Sequence, residues 1–415
     1  MPGGFQLTNR HAHCLMRSKR RAARGLALWN STHRMNRNHG MSLVSLAKIK
    51  SAGISAALER ALAPFCDAVS CRGRRVLIKP NLVEPLPCTT GQTTSPALVE
   101  ALIVWCRAHG AAEIAIGEGP SYFQPRSDLR ACFESTGMAD VARRQNVRWI
   151  LFDNERFRAF KNHSPALPPV FHLSEHAFGW DHIINVPVPK AHYLTTVSIA
   201  MKNLKGFIMR EEKPSFHYCG NDGIHGSVTA LCTIIRPSLN VVDCTVPLLC
   251  DQPFVLAGTD IVAVDAFTTA LMGISPDSIQ TIVLGHAAGL GECDLARIDT
   301  AGDDLAGISM RSENPHAYVK RAFPALRLHA AHACSGCLIP LFAALRRLED
   351  LGQHCSRDVV CGREPAAERF RDAVFIGTCA CAHAGCGPRI ERCPPSKESV
   401  FELLQEALAG RNREC

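Results

Sequence analysis

The residues best suited to chemistry form two groups. Near the end of the chain, Cys334-Ser-Gly-Cys337 sets two thiolates at a spacing that lets one turn grip a single metal ion or two corners of a cluster. Cys379 follows after 41 intervening residues in the string GTCA, and Cys393, after 13 more, is followed directly by Pro394-Pro395. Structural zinc sites commonly join two short knuckles, and no such knuckle pairs Cys379 with Cys393. Iron–sulfur sites tolerate wide spacing and often carry proline after a ligand cysteine, where the missing N–H helps keep the cluster edge dry. A [4Fe–4S] cluster on Cys334, Cys337, Cys379 and Cys393 is therefore the expectation, with zinc as the alternative. Cys381 and Cys386 are neighbouring candidates for the third corner, and Cys355 and Cys361 are weaker ones.

The second group is a set of short polar strings: IKPN at 78–81, TTSP at 93–96, GEGP at 117–120, PVPKAH at 187–192 and MKNLKG at 201–206. Lys79, Lys190, Lys202 and Lys205 are cations in or beside loops, where an ammonium serves as a point-charge binder for phosphate or carboxylate. Asn81 and Asn203 can orient a polar ligand, and Thr93, Thr94 and the helix N-terminus after Ser95 add donors. Glu118 and Asp243 each close an apolar run and suit a general base or a divalent-metal ligand. His192 and His225 suit either role or proton transfer. Lys79, Lys190, His192 and Glu118 are the candidate catalytic residues. Asn81, Thr93, Thr94, Lys202, Asn203, His225, Asp243 and Asp265 are the candidate ligand contacts. Plainer roles compete: Asp260 reads as a helix cap, and Lys202 and Lys205 fall where a helix C-terminus favours cations in any case. A lysine closing an apolar strand is harder to explain plainly, because burial without a partner is costly.

These groups need a frame. RVLIK at 75–79 is a β-rich run closed by Pro80. Ser95 then Pro96 open a helix that stops at Gly110. EIAIG at 113–117, VRWILF at 147–152, HIINV at 182–186 and NVVD at 240–243 read as further strands. Helices are expected near 195–204 and from 261 to 272, the latter capped by Asp260. Strands alternating with helices imply an α/β fold, a largely parallel sheet with helices on both faces, and ligands in such sheets sit beyond the carboxyl ends of strands. The Gly-rich stretch at 285–291 follows a helix and reads as a turn. Past residue 333 come a helix at about 341–351, a strand at 373–377 and a closing helix at about 397–408 with Ser396 as its cap.

Composition divides the chain in the same way. Its 415 residues are 47% hydrophobic and hold no uncharged apolar stretch long enough to cross a membrane. Residues 1–40 carry eight basic groups and no acid; setting them aside brings the 46 basic residues level with the 38 acidic ones. The folded part is thus charge-balanced and nucleic acid is not an expected partner of it. The basic leader, 1–42, is expected to be disordered. It reads as a nucleic-acid arm, a presequence, a weak twin-arginine signal, or an extension that precedes a natural start at Met35 or Met41. Of the 20 cysteines, eight lie between 334 and 393. With no convincing secretory signal they are not expected as disulfides. The expected organisation is leader, α/β domain over 43–302, connector over 303–333, and a small cysteine-rich module over 334–415.

The polar strings, with His225, Asp260 and Asp265, resemble the family known as domain of unknown function 362, over about residues 43–300. Members of that family often carry an iron–sulfur or ferredoxin-like segment, so the resemblance implies cluster chemistry for the cysteines here. The chain lacks the doubled ferredoxin run C-x2-C-x2-C-x3-C-P. GTCA and Cys393-Pro394-Pro395 also resemble, over about twenty residues, the cluster-binding half of the small subunits of nickel–iron hydrogenases and of the quinone-reductase subunit of respiratory complex I; Arg392 stands where those proteins usually have glycine.

The resulting expectation is a cytoplasmic iron–sulfur protein, a redox enzyme acting on an anionic small molecule in a Lys/Asn/His-lined cleft, with a redox partner protein. The alternative is non-catalytic, an electron carrier or a zinc-stabilised ligand-binding module.

Overall fold

The computed structural model describes residues 42–122, 126–306, 308, 310, 315–330, 333–362, 370, 373–382 and 387–408. The basic leader and Cys386 lie outside the described residues. The main sheet has eight strands: β1 (Ser42–Lys48), β2 (Arg75–Lys79), β3 (Glu113–Glu118), β4 (Arg148–Leu151), β7 (His182–Asn185), β10 (Leu239–Cys244), β11 (Phe254–Gly258) and β12 (Ile298–Gly302). Their spatial order is β12-β1-β11-β10-β7-β2-β3-β4. Every neighbouring pair is parallel except the two made by β11, which runs against both β1 and β10. Two hairpins stand apart from this sheet, β5 (Phe157–Lys161) with β6 (Val170–Ser174), and β8 (Lys190–His192) with β9 (Thr196–Ser198).

Two apolar cores lie on the two faces of the sheet, as expected where both faces are covered. One packs β2, β3 and β7 through Val76, Ile78, Ile116 and Ile184 against the helices Gly53–Leu62 and Pro96–Ala108. The other gathers Leu77, Val242 and Leu256 with the helices Gly223–Ile234 and Ile261–Leu271. Asp260 caps the latter helix, accepting from the N–H groups of Val262 and Ala263 at 2.9 Å. Ser95 does not cap its helix by its side chain; its own N–H instead donates to Asp243 Oδ2 at 2.6 Å.

The helix expected over 195–204 is the largest local difference. That stretch holds β9, a four-residue helix Ala200–Asn203 and a 3-10 turn to Phe207. The reason is a turn: Val197 N–H donates to the Thr195 carbonyl at 2.7 Å across Thr196, whose φ of 62° is left-handed. The helix begins only where the Asp265 carboxylate accepts from the N–H groups of Ala200 and Met201.

The C-terminal unit has its own four-stranded parallel sheet: β13 (Arg327–His329), β14 (Asp358–Cys361), β15 (Val374–Ile376) and β16 (Arg389–Ile390). The helices Ser335–Asp350 and Lys397–Leu408 pack on it. The stretch expected as a connector contributes the helix Pro315–Ala322 and β13 to this unit. Tyr193 and Leu194, from the β8–β9 hairpin, pack against its core, so the two units meet at that hairpin. Among the described residues no helix is long and apolar enough to cross a membrane.

Candidate functional site

The carboxyl ends of β2, β3, β7 and β10 lie on one edge of the sheet, and the polar strings collect there. Lys79, the last residue of β2, is wholly buried, and its Nζ donates to Glu118 Oε2, at the end of β3, at 2.9 Å. Glu118 also accepts from the N–H groups of Leu82 and Gly119, which leaves neither of its oxygens unserved. Burial pulls the Lys79 ammonium below the usual lysine range, and Glu118 offsets this. Gly206 closes over the pair: a Cβ there would stand 2.1 Å from Glu118 Oε1 and 2.7 Å from Lys79 Nζ.

Beside this pair runs a line of buried asparagines. Lys190 Nζ donates to Asn81 Oδ1 at 2.5 Å. Asn81 Nδ2 then donates to Asn203 Oδ1, Asn203 Nδ2 to Asn185 Oδ1, Asn185 Nδ2 to Asn240 Oδ1, and Asn240 Nδ2 to the Gly258 carbonyl. The first group can only donate and the last can only accept, so all four amide orientations are fixed. This line ties β2, β7, β10 and β11 together and holds Lys190 at the edge, where the Gln92 carbonyl also accepts from it.

A cleft of about 830 Å³ opens between this edge and the C-terminal unit, lined among others by Lys190, His192, Lys202, Lys205, Lys213 and His217. Burial draws the lysines down, Lys190 and Lys213 to about 8 and Lys202 to about 7, with Lys190 also repelling Lys202. Lys205 is pushed well down by burial, Lys202 and Lys213. Lys213 Nζ donates to the Gly119 and Pro120 carbonyls at 2.8 and 2.7 Å. The two histidines are neutral, held well below their usual range by burial and the surrounding lysines. His192 Nδ1 accepts from the N–H groups of Leu194 and Thr195, so its proton sits on Nε2. His217 is the reverse: Nδ1 donates to the Lys213 and Pro214 carbonyls, and Nε2 faces Lys205 Nζ at 3.4 Å as an acceptor. The acids in the wall are engaged, Glu118 with Lys79 and Glu84 with Lys397 at 3.2 Å.

The C-terminal unit forms the opposite wall with Tyr318, Ile339, Phe342 and Arg346. Tyr193 and Phe342 pack with ring centroids 4.1 Å apart, and the Arg346 guanidinium lies 4.9 Å from the Tyr318 ring centre. Next to the cleft, Cys334 stands just before the helix Ser335–Asp350 and Cys337 lies in its first turn. The neighbouring Cys337, Tyr218 and Tyr122 side chains hold the Cys334 thiol down at about 5, despite its burial. Cys379 follows β15 and Cys393 follows β16, and both lie close enough that Cys334 and Cys379, after burial itself, raise the Cys393 thiol. Gly377, at φ 90°, leaves room for the set, since a Cβ there would lie 2.5 Å from Cys337 Sγ. Among the described residues no three of these sulfurs fall within 4.8 Å of one another. Cys381 points elsewhere, its Sγ donating to the Ile390 carbonyl at 3.4 Å. Cys355 is buried in the apolar core of the unit, and buried Cys361 feels Cys334.

The expected residues therefore divide. Asn81, Glu118, Lys190, His192, Lys202 and Asn203 line the cleft, whereas Lys79 is sealed beneath it. Thr94 Oγ1 donates to the Val186 carbonyl and accepts from Asn81 N–H, which fixes the loop; Thr93 Oγ1 donates to the Leu86 carbonyl. Asp243 is wholly buried, accepting from Ser95 N–H and from Thr245 N–H and Oγ1, and Asp265 serves the helix Ala200–Asn203. His225 faces Thr281 Oγ1 at 2.8 Å and does not line the cleft. Sequence reasoning missed Asn185 and Asn240, although a lone asparagine in an apolar strand was a usable signal. It also missed Lys213, His217 and the wall from the C-terminal unit, for which no local signal existed.

The model of the family described as domain of unknown function (DUF362) matches residues 76–270, the stretch that supplies the sheet edge and its lysines. Thylakoid-associated protein sll1697 of Synechocystis sp. is 24% identical over 230 residues, covering 52% of this chain and 69% of that protein. The lactate racemase apoprotein from Thermoanaerobacterium thermosaccharolyticum aligns with a TM-score of 0.34 and 14% identity over 51% of this chain, which spans about half, 52%, of that protein.

Proposed function

We propose that the protein binds an anionic small molecule in the lysine-lined cleft and acts on it as a redox enzyme, with an iron–sulfur cluster held by Cys334, Cys337, Cys379 and Cys393. The observation that carries the binding half is Lys202. It lines the cleft, no hydrogen bond or carboxylate partner serves it among the described residues, and the charge it feels is another lysine. An uncompensated cation in a low-dielectric wall is a standing cost that an anion removes.

The cysteine half rests on the donor set: Cys334 and Cys337 open the helix Ser335–Asp350, Cys379 and Cys393 follow neighbouring strands, and Cys393 feels both Cys334 and Cys379. An iron–sulfur cluster tolerates this wide spacing and the proline after its last cysteine. Such a cluster would supply one-electron transfer beside the cleft.

The chain's own residues would do the rest. Lys202 and Lys205 hold the anion, His192 offers its Nε2 proton to it, and His217 keeps an acceptor nitrogen toward Lys205.

The test is anaerobic purification with iron and sulfide analysis and absorption near 400 nm, alongside titration calorimetry with phosphate and carboxylate anions. About four irons and four sulfides per chain are expected, falling by more than half in Cys337→Ser but not in Cys381→Ser. Colourless protein with stoichiometric zinc overturns the redox half, and absence of anion binding overturns the other.

A further inference from the structure

Charge and shape in the cleft go beyond a general preference for anions. Five lysines line it, Lys190, Lys202, Lys205, Lys213 and Lys397, and the acids of the wall, Glu118 and Glu84, are already taken by Lys79 and Lys397. The lysines are also concentrated. Lys202 is repelled by Lys190, Lys205 by Lys202 and Lys213, and His192 feels Lys202, Lys205 and Lys190 together. Lys190 and Lys213 spend hydrogen bonds on protein oxygens, whereas among the described residues Lys205 meets the nitrogen of His217 and feels the Cys334 sulfur, and Lys202 has no protein oxygen to meet. Two ammonium groups and one imidazole N–H thus offer donors to a single small volume. One carboxylate would neutralise one of them. A compact dianion with several acceptor oxygens neutralises both and takes up the remaining donors.

The facing wall has the opposite character. Tyr193 and Ile339, both partly exposed, present its apolar surface, Tyr193 backed by the buried Phe342 ring with centroids 4.1 Å apart, and Arg346 is drawn onto the face of the buried Tyr318. At about 830 Å³ the cleft is far larger than a free inorganic ion needs and lies within the range that encloses organic ligands. An apolar wall facing a cationic floor recognises a molecule with an anionic head and an apolar, flat body.

We propose that the cleft takes an organic phosphate monoester, its dianionic head on Lys202, Lys205 and His192 and its flat apolar body against Tyr193 and Ile339. This rests on the anion-cleft reading above and narrows it to a chemical class. The two units must then both contribute to one ligand, the family-matched stretch supplying the head site and Tyr193, and the C-terminal unit the rest of the body site through Ile339.

The test is titration calorimetry of the full chain at pH 6.5 with three probes: phenyl phosphate, benzoate and inorganic phosphate. Phenyl phosphate is expected to bind at least tenfold more tightly than either of the others. Lys202→Met should lower affinity for both phosphates at least tenfold, and Lys205→Met serves if that variant misfolds by its melting curve. Tyr193→Ala, or Ile339→Ala if that variant misfolds by its melting curve, should remove the advantage of phenyl phosphate over inorganic phosphate while leaving the latter's affinity within twofold. Benzoate binding as tightly as phenyl phosphate overturns the dianion head, and inorganic phosphate doing so overturns the body site; either leaves the general anion cleft standing. If none of the three binds, the anion cleft falls and the proposal with it.

Discussion

Lys79 and Lys202 lie at the same sheet edge, are the same residue type, and have opposite circumstances. Lys79 is wholly buried and meets Glu118 at 2.9 Å, with the carboxylate further held by two backbone N–H groups. Lys202 lines the cleft and meets no oxygen among the described residues. A buried charge that finds its partner inside the fold belongs to the fold; one that does not is left for something from outside. From the sequence Lys79, closing an apolar strand, read as the lysine harder to explain plainly and Lys202 as a cation that a helix C-terminus favours, an order that position alone could not reverse. The carboxylate at the end of the neighbouring strand does, because Glu118 can serve one ammonium and serves Lys79.

The sharpest way to break this contrast is to remove one member of the closed pair. Glu118→Gln should cost about 3–5 kcal/mol, because Lys79 is left as a buried charge without a counter-charge. Lys79→Met combined with Glu118→Gln should cost clearly less than Glu118→Gln alone, since no charge then remains buried. Urea unfolding of the two variants at pH 7 measures both. If Glu118→Gln costs under about 1 kcal/mol, the pair behaves as a surface ion pair and the contrast is gone.

The open lysine should respond with the opposite sign. Lys202→Met replaces an unserved cation with an apolar side chain of similar length, and it should stabilise the empty protein by about 1–2 kcal/mol while it weakens anion binding. A destabilised Lys202→Met that still binds anions would place Lys202 among the structural lysines.

The effect of pH tests the same point without changing the fold. Lys202 is brought down to about 7 in the folded chain, against about 10.4 when unfolded. Between those values the unfolded chain binds more protons, so this lysine's penalty is full below about pH 7 and fades as pH rises toward 10. The stability gained by Lys202→Met should therefore shrink as pH rises through that window, and taking the difference between the two proteins cancels groups common to both. Anion affinity moves the other way: it is highest where Lys202 is charged and should fall by up to about tenfold per pH unit above 7, and above 8 as Lys190 also loses its proton. An affinity level from pH 6 to 9 would remove Lys202 and Lys190 from the binding step.

Much of the frame was legible in the sequence because it is written in local chemistry. RVLIK, EIAIG and HIINV are strands between clear breakers, and Asp260 caps its helix as its position suggests. The site was legible as a set of residue types, less so as an arrangement. Glu118, Asp243 and Asp265 all read as free carboxylates, yet each is consumed by partners far along the chain: Lys79, Ser95 and Ala200. The asparagine line joins four strands and so has no sequence spacing at all. The wall from the C-terminal unit depends on the hairpin carrying Tyr193 meeting Phe342, a contact between residues about 150 apart with no local trace.

That hairpin also carries the smallest expected effect. Thr196 is β-branched and holds φ 62°, a conformation that costs a non-glycine residue about 1–2 kcal/mol. Glycine adopts it freely but loses more conformational freedom on folding, by about 0.5–1 kcal/mol. Thr196→Gly should therefore leave stability level or raise it by up to about 1 kcal/mol, a difference that thermal and urea unfolding together can resolve. The open half of the site should feel it more than the fold does. β8 and β9 pair Lys190 with Ser198 and His192 with Thr196, so the turn fixes the direction in which Lys190 and His192 enter the cleft. Loosening it should weaken phosphate binding a few-fold while the closed pair of Lys79 and Glu118, tied to β2 and β3, keeps its full contribution. If Thr196→Gly lowers stability by more than about 1 kcal/mol and leaves phosphate affinity unchanged, the turn serves the packing of Tyr193 against the C-terminal unit, and the open lysines owe it nothing.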